Sequence, residues 1–195
     1  MTSDPRHVRS ALALREAVFA VARTAPIETA TVAQVAREAG ISRATFYNHA
    51  DSPRQLLVRH LTLELDVVRS GFLDGAERMP LRDAWAESED HLLEHVQRHD
   101  VIYRIDLLAD EPGSGRVLGR MLADHIEGSL EEFARLDDAT EEESGTLPRR
   151  MAAAFVAHGS VGAIARWLES PAPRDPAVAR AALMSSIPEW WLGRR

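Results

Sequence analysis

Apolar residues recur at three- and four-residue steps along almost the whole chain, and no stretch alternates apolar and polar positions with β-branched enrichment. That period restricts the fold to helix packed on helix. The first helix is expected from about Pro5 to Thr24, with Leu14, Val18, Val21 and Ala25 in step and Pro26 ending it. Thr31 opens a second helix as N-cap, and Gln34 three residues on completes a capping box. Gly40 stops that helix, and Ser42 caps a short third one reaching roughly Asn48. Ser52 followed by Pro53 starts a long fourth helix, with Leu57, Leu61, Val67 and Val68 on its apolar side. Beyond Pro80, helices are predicted at 81–99, 101–109, 116–136, 148–169 and 175–187, with loops at 111–115 and in the acidic, mobile stretch 137–148. The expectation is an all-α chain of about nine helices. A head at 1–60 would carry a helix-turn-helix, and a helical-bundle body would occupy 61–195.

Composition narrows the function classes. With no cysteine there is no thiolate metal site, thiol nucleophile or disulfide framework. The polar stretch Met1–Arg9 lacks the apolar core of a signal peptide, and no run of about 18 apolar residues marks a membrane span. The expectation is therefore a soluble, cytoplasmic protein that does not engage a membrane. Net charge is −7, yet residues 1–60 carry eight arginines against five carboxylates, which leaves the remainder at −10. A basic head on an acidic body orients a molecule on a polyanion such as DNA.

The segment 31–49 gives that polyanion reading its geometry. Val32 to Ala39 supplies one helix, Gly40-Ile41 the turn, and Ser42 to His49 a second helix fit to enter a major groove. Ala36 is small where the two helices meet, and Ile41 and Phe46 point to the core. Arg43, Ala44, Thr45, Tyr47, Asn48 and His49 are left available to DNA.

The string Thr31-Val32-x-x-Val35-Ala36-x-x-Ala39-Gly40-Ile41-Ser42-x-x-Thr45-Phe46-Tyr47-x-His49 resembles the DNA-binding signature of the tetracycline-repressor (TetR) family. The resemblance implies a homodimeric transcriptional regulator, a repressor released from a double-stranded DNA operator by a small-molecule effector. Thr31, Tyr47 and His49 would hold phosphates, while Arg43, Ala44, Thr45 and Asn48 would face base edges, with Ser42 beside them. Two positions depart from the family pattern: Ala50 stands where an aromatic is common, and Pro53 where a basic residue is. Arg54 is the adjacent candidate for that phosphate contact. A relative that kept the fold but lost DNA binding is the alternative these departures leave open.

For the body the resemblance implies a ligand pocket and a dimer interface. Trp85, Tyr103, Met121 and Phe133 could line an apolar cavity with Arg104 and His125 as polar anchors, and they fit a plain core equally well. Small residues through 152–163 permit close helix approach. A dimer interface is expected from Met151, Phe155, Gly159, Gly162 and Trp167 with Val178 and Ala182 of the last helix. His91, His95 and His99 stand at four-residue spacing, but three histidines climbing one helix lie too far apart for one metal. They are expected to be solvated or boundary residues, and His158 an interface residue. No metal, cofactor or catalytic residue is assigned; a metal-dependent enzyme using the histidine-rich body is the remaining alternative. Trp190-Trp191 are expected to anchor the tail on the body.

Overall fold

The computed structural model describes residues 5–109, 117–136 and 147–187, and among these every regular element is helical. The helices are α1 (Pro5–Ala22), α2 (Val32–Glu38), α3 (Arg43–Tyr47), α4 (Pro53–Ala76), α5 (Leu81–Arg98), α6 (Asp100–Leu107), α7 (Val117–Leu136), α8 (Leu147–Glu169) and α9 (Pro176–Ser186). A single 3₁₀ turn, Ile27–Thr29, joins α1 to α2. The expected loop at 111–115, residues 137–146 of the one expected at 137–148, the side chain of Phe133 and the tryptophans at 190 and 191 lie outside the described residues; Leu147 and Pro148, expected in that loop, open α8.

Local chemistry sets the helix starts. The Thr31 hydroxyl accepts the Gln34 N–H at 3.1 Å, Ser42 accepts that of Thr45 at 3.0 Å, and Ser52 accepts that of Gln55 at 3.1 Å. Each such cap contributes about 1 kcal/mol. Asp175 opens α9 in the same way, accepting from Ala177 at 2.9 Å. Gly40 takes φ +65°, the left-handed conformation that lets the chain leave α2 and enter α3 within two residues.

Helix α4 is the spine. It packs on α1, α5 and α7; α7 packs on α8, and α9 closes against α5 and α8. The expected boundary between head and body, at 60/61, falls inside α4, which runs unbroken through it. Leu57, Leu61 and Leu65 form its fully buried edge. Val67, expected on that edge, is exposed, because at 100° per residue it stands about 160° round the helix from Leu65.

In α8, residues Ala153, Val156, Ala157, Ser160, Ile164, Trp167 and Leu168 are buried. By length and composition alone α8 is apolar enough to cross a bilayer, a property the sequence reading did not assign to any segment. Its packing against α7 and α9 accounts for one apolar face.

Across α6 and α7, Asp106 Oδ2 accepts the Leu118 and Gly119 N–H groups at 3.0 and 3.2 Å. A side chain from the preceding helix thus satisfies donors in the first turn of α7.

Candidate nucleic-acid interface and body cleft

The short α3 is held from below and capped at its start. Phe46 is fully buried and meets Tyr47 edge-on, and Val35 and Ala36 of α2 are buried with it. Ile41 packs partly buried against the same core. With Phe46 fixed inward, Arg43, Ala44, Tyr47 and Asn48 are exposed on the opposite side, and Tyr47 keeps 59% of its surface. Thr31 is exposed at the start of α2 and Arg54 in the first turn of α4. Pro53, beside Arg54, is buried.

Three expected contacts are committed within the chain. Ser42 Oγ caps α3 and lies 2.8 Å from Thr45 Oγ1, so both hydroxyls serve the local turn. His49, expected to grip phosphate, has its Nε2 2.7 Å from Ser10 Oγ and its ring stacked on His7 at 4.2 Å. Partial burial, then His7 and Arg59, lower its pKa, which disfavours the cation a phosphate would attract. In this structure His49 is a strut between α3 and α1, and Arg59 Nη1 donates to its carbonyl at 2.9 Å.

In the body, α4 and α7 enclose an open cleft of about 570 Å³. Arg54, Val58, Thr62, Asp66 and Arg69 contribute from α4, and Arg120, Met121, Asp124 and His125 from α7. Arg69 forms its inner wall: Nη2 donates to the His125 carbonyl and lies 3.1 Å from His125 Nδ1, while Nε donates to Ser129 Oγ. Burial, then the Arg69 charge, lowers His125 to a pKa of about 4, so the ring is neutral at pH 7. Beside His125 lies a small cavity of about 30 Å³ of mixed character, lined by Phe72, Trp85, Leu92, Ile126 and Leu130 together with Ser88, Glu89 and Ser129. Trp85 Nε1 donates to Glu89 Oε1 at 3.2 Å, and burial raises that carboxyl to a pKa of about 7.

The expected pocket residues are therefore split. Met121 and His125 line the cleft, and Trp85 the inner cavity. Tyr103 does neither: it is fully buried with its hydroxyl 2.8 Å from His95 Nε2. Arg104 is exposed and lines neither space. Sequence reasoning missed Arg69, Arg120 and Asp124. For Arg69 the available signal was the row Arg54, Thr62, Asp66 and Arg69 on α4, polar side chains that share one face with Val58 at helical spacing.

On α8 and α9 an apolar face is open. Met151, Phe155 and Val178 are 63%, 76% and 65% exposed, and Gly159, Gly162 and Ala182 are exposed with them. A Cβ added at Gly159 or Gly162 would meet nothing within 4 Å. Trp167 does not belong to this face. It stands 120° from Phe155 round the helix and is buried in the chain's own core.

Two of the three histidines depart from the expected solvated or boundary positions. His91 is exposed, whereas His95 and His99 are buried beside Glu64. Their neighbours lie on α4, α1 and α6, which the spacing along one helix cannot reveal.

Residues 15–59 match the family model described as "Bacterial regulatory proteins, tetR family". No curated protein matches the chain in sequence. Among solved structures, the chain is similar to Thermus thermophilus FadR, a TetR-family transcriptional repressor in complex with lauroyl-CoA. The TM-score there is 0.62 at 18% identity, covering 95% of this chain and 96% of that one. It is also similar to the fatty acid degradation regulator FadR from Bacillus halodurans, with TM-score 0.60, 13% identity and coverage of 99% and 97%. Bacillus subtilis FadR in complex with stearoyl-CoA gives TM-score 0.60 at 13% identity, covering 90% and 96%. At these identities the likeness is one of fold.

Proposed function

We propose that this chain, whose residues 15–59 match the model of the tetR family of bacterial regulatory proteins, is a cytoplasmic, homodimeric DNA-binding repressor of that family, released from its operator by a small molecule. The observation that carries this reading is the surface of α3, where Arg43, Ala44, Tyr47 and Asn48 project while buried Phe46 fixes the helix from below. Arg43 can pair bidentately with guanine and Asn48 with adenine, each such pair supplying roughly 1–3 kcal/mol of discrimination. Thr31, Tyr47 and Arg54 supply phosphate contacts that fix register. Residues 1–60 form the DNA-binding head and 61–195 the regulatory body. The exposed apolar face of α8 and α9 is the dimer contact, since a two-fold protein reads a two-fold operator.

The cleft between α4 and α7 is the effector site. Arg54, Arg69 and Arg120 outnumber Asp66 and Asp124 there, which suits an anionic group, while the cavity beside His125 has room for about one water. The acyl-CoA thioesters held by two of the similar structures share the anionic part of this chemistry. Helix α4 couples the sites: its first half lines the cleft and packs on α1. An effector that binds one tilt of α4 more tightly than another shifts the population of head positions.

The test is binding of the purified chain to its own upstream DNA across a salt series, with Arg43→Ala and Tyr47→Phe alongside. Specific binding that weakens steeply with salt is expected. Arg43→Ala should relax sequence preference by roughly 10- to 100-fold, and Tyr47→Phe should weaken all sequences alike. Absence of specific binding from a genome-wide selection of fragments would sink the proposal and favour the relative that kept the fold without the function.

A further inference from the structure

We propose that Glu64, His95 and His99 form a binding site for a divalent late first-row transition metal such as Zn²⁺ or Co²⁺, stapling α4 to α5 beneath α1. His95 and His99 are four residues apart on consecutive turns, and Glu64 reaches between them from α4. The three donor atoms lie within 4.8 Å of one another. His95 Nδ1 is 3.4 Å from Glu64 Oε2, and His99 Nε2 is 2.7 Å from the same oxygen. Ligand atoms about 2.0–2.1 Å from a tetrahedral ion are separated by roughly 3.3 Å. The first pair already stands at that spacing. The second opens by about 0.6 Å as the proton between nitrogen and oxygen gives way to the ion.

A second observation points the same way. His95 is 1% exposed, and its Nδ1, the atom aimed at Glu64, is buried with no hydrogen-bond partner. An orphaned buried ring nitrogen costs stability unless something occupies its lone pair. Its other nitrogen, Nε2, lies 2.8 Å from the fully buried Tyr103 hydroxyl. A ligating histidine commonly donates its second N–H to an oxygen in this way, which fixes the ring and its tautomer. Glu64 Oε1 is likewise held, by Arg15 Nη2 at 2.9 Å, leaving Oε2 for the ion.

The surrounding charge sets the class of ion. Arg15 and Arg98 both face Glu64, with Arg98 Nη1 3.7 Å from Oε2. One carboxylate and two imidazoles among arginines do not suit Ca²⁺ or Mg²⁺, which take mostly oxygen ligands. Imidazole nitrogen favours zinc and its neighbours. Glu64 keeps 20% side-chain exposure and Arg98 62%, so the site opens on that side for entry and for a fourth ligand from solvent. His99 also stacks on Phe19 of α1 at 5.0 Å, and Arg15 is on α1. A bound ion therefore fixes α1, and the head it belongs to, against α4 and α5. This site is separate from the cleft of α4 and α7, and does not depend on the effector reading.

The full chain, stripped with a chelator and titrated with Co²⁺, should take up one equivalent per chain with visible ligand-field bands that Zn²⁺ displaces. Its melting temperature should rise with added Zn²⁺. Tyr103→Phe should weaken binding roughly 10- to 100-fold, the usual loss for an outer partner, and Glu64→Gln and His99→Gln by at least as much. His91→Gln, on the exposed side of the same helix, should bind as the parent does. Circular dichroism of each metal-free variant checks that it folds, and if Glu64→Gln does not, His99→Gln decides. No saturable uptake by the parent, uptake unchanged in His99→Gln, or uptake lost in His91→Gln would overturn the assignment.

Discussion

Replacing Glu89 with glutamine should stabilise the protein by an amount that grows with pH. Glu89 is 7% exposed, its Oε1 accepts the Trp85 N–H, and Oε2 is buried without a partner. Burial raises its pKa from 4.5 to about 7, with the Trp85 hydrogen bond opposing and Asp90 reinforcing the rise. Because the folded pKa lies above the unfolded one, the associated stability is complete below pH 4.5. It drains away as the pH rises towards 7, since over that window the unfolded chain has released a proton that the folded chain still binds. At about 1.36 kcal/mol per unit, the loss is about 1 kcal/mol at pH 5 and about 3 kcal/mol at pH 8.

Glutamine keeps an oxygen for Trp85 and cannot ionise, so Glu89→Gln should gain about 2.5 kcal/mol more at pH 8 than at pH 5. Urea unfolding of both proteins at the two pH values, at one fixed protein concentration, measures this difference. His95 and His125, each lowered to about 4 chiefly by burial, are present in both proteins and remain mostly neutral at pH 5. Their contributions therefore cancel. An equal gain at the two pH values would refute the reasoning, because it would mean that Glu89 ionises alike in the folded and unfolded chains.

Three further outcomes are expected. Ser42→Ala removes the hydroxyl that caps α3 and bonds Thr45; it should cost about 1 kcal/mol in urea unfolding, and weaken DNA binding through a frayed recognition helix. Phe155→Glu, on the exposed face of α8, should shift sedimentation from dimer to monomer with the circular dichroism spectrum unchanged, whereas a dimer that persists would place the interface elsewhere. Asp106→Ala strands the buried Leu118 and Gly119 N–H groups of α7, and should cost about 1–3 kcal/mol in the same unfolding assay.

The features legible in the sequence were those that a few consecutive residues determine. Thr31, Ser42 and Ser52 each mark a helix start because a cap is a contact between a hydroxyl and an N–H three residues away. Gly40 marks a stop because its left-handed φ is a property of one residue. Phe46 could be assigned to the core because a five-residue helix has only one side to bury. The exposure of Arg43, Ala44, Tyr47 and Asn48 follows from the same one-sided burial. The internal bonding of Ser42 with Thr45 was read only as a cap, and that of His49 escaped altogether, since its partner Ser10 comes from 39 residues away.

What escaped was the phase of one helix relative to another. Trp167 and Phe155 are both large, apolar and on α8, yet 120° of rotation puts one in the core and the other on the surface. Composition alone gives them the same environment. The same limit hid the polar clusters. Arg69 with His125 and Ser129 spans α4 and α7, and Glu64 with His95 and His99 spans α4 and α5. In both, α4 supplies the charged group and a neighbouring helix supplies the imidazole. Their energetics explain why α4 is the element to watch. Each cluster takes charged or polar groups partly out of water, and burial depresses the pKa of His95 and His125. That cost is offset only while α4 keeps its register against α5 and α7. A ligand in the cleft or an ion at Glu64 would act on this same register, and α4 packs on α1 and the 3₁₀ turn at Ile27–Thr29, through which a change reaches α2 and α3.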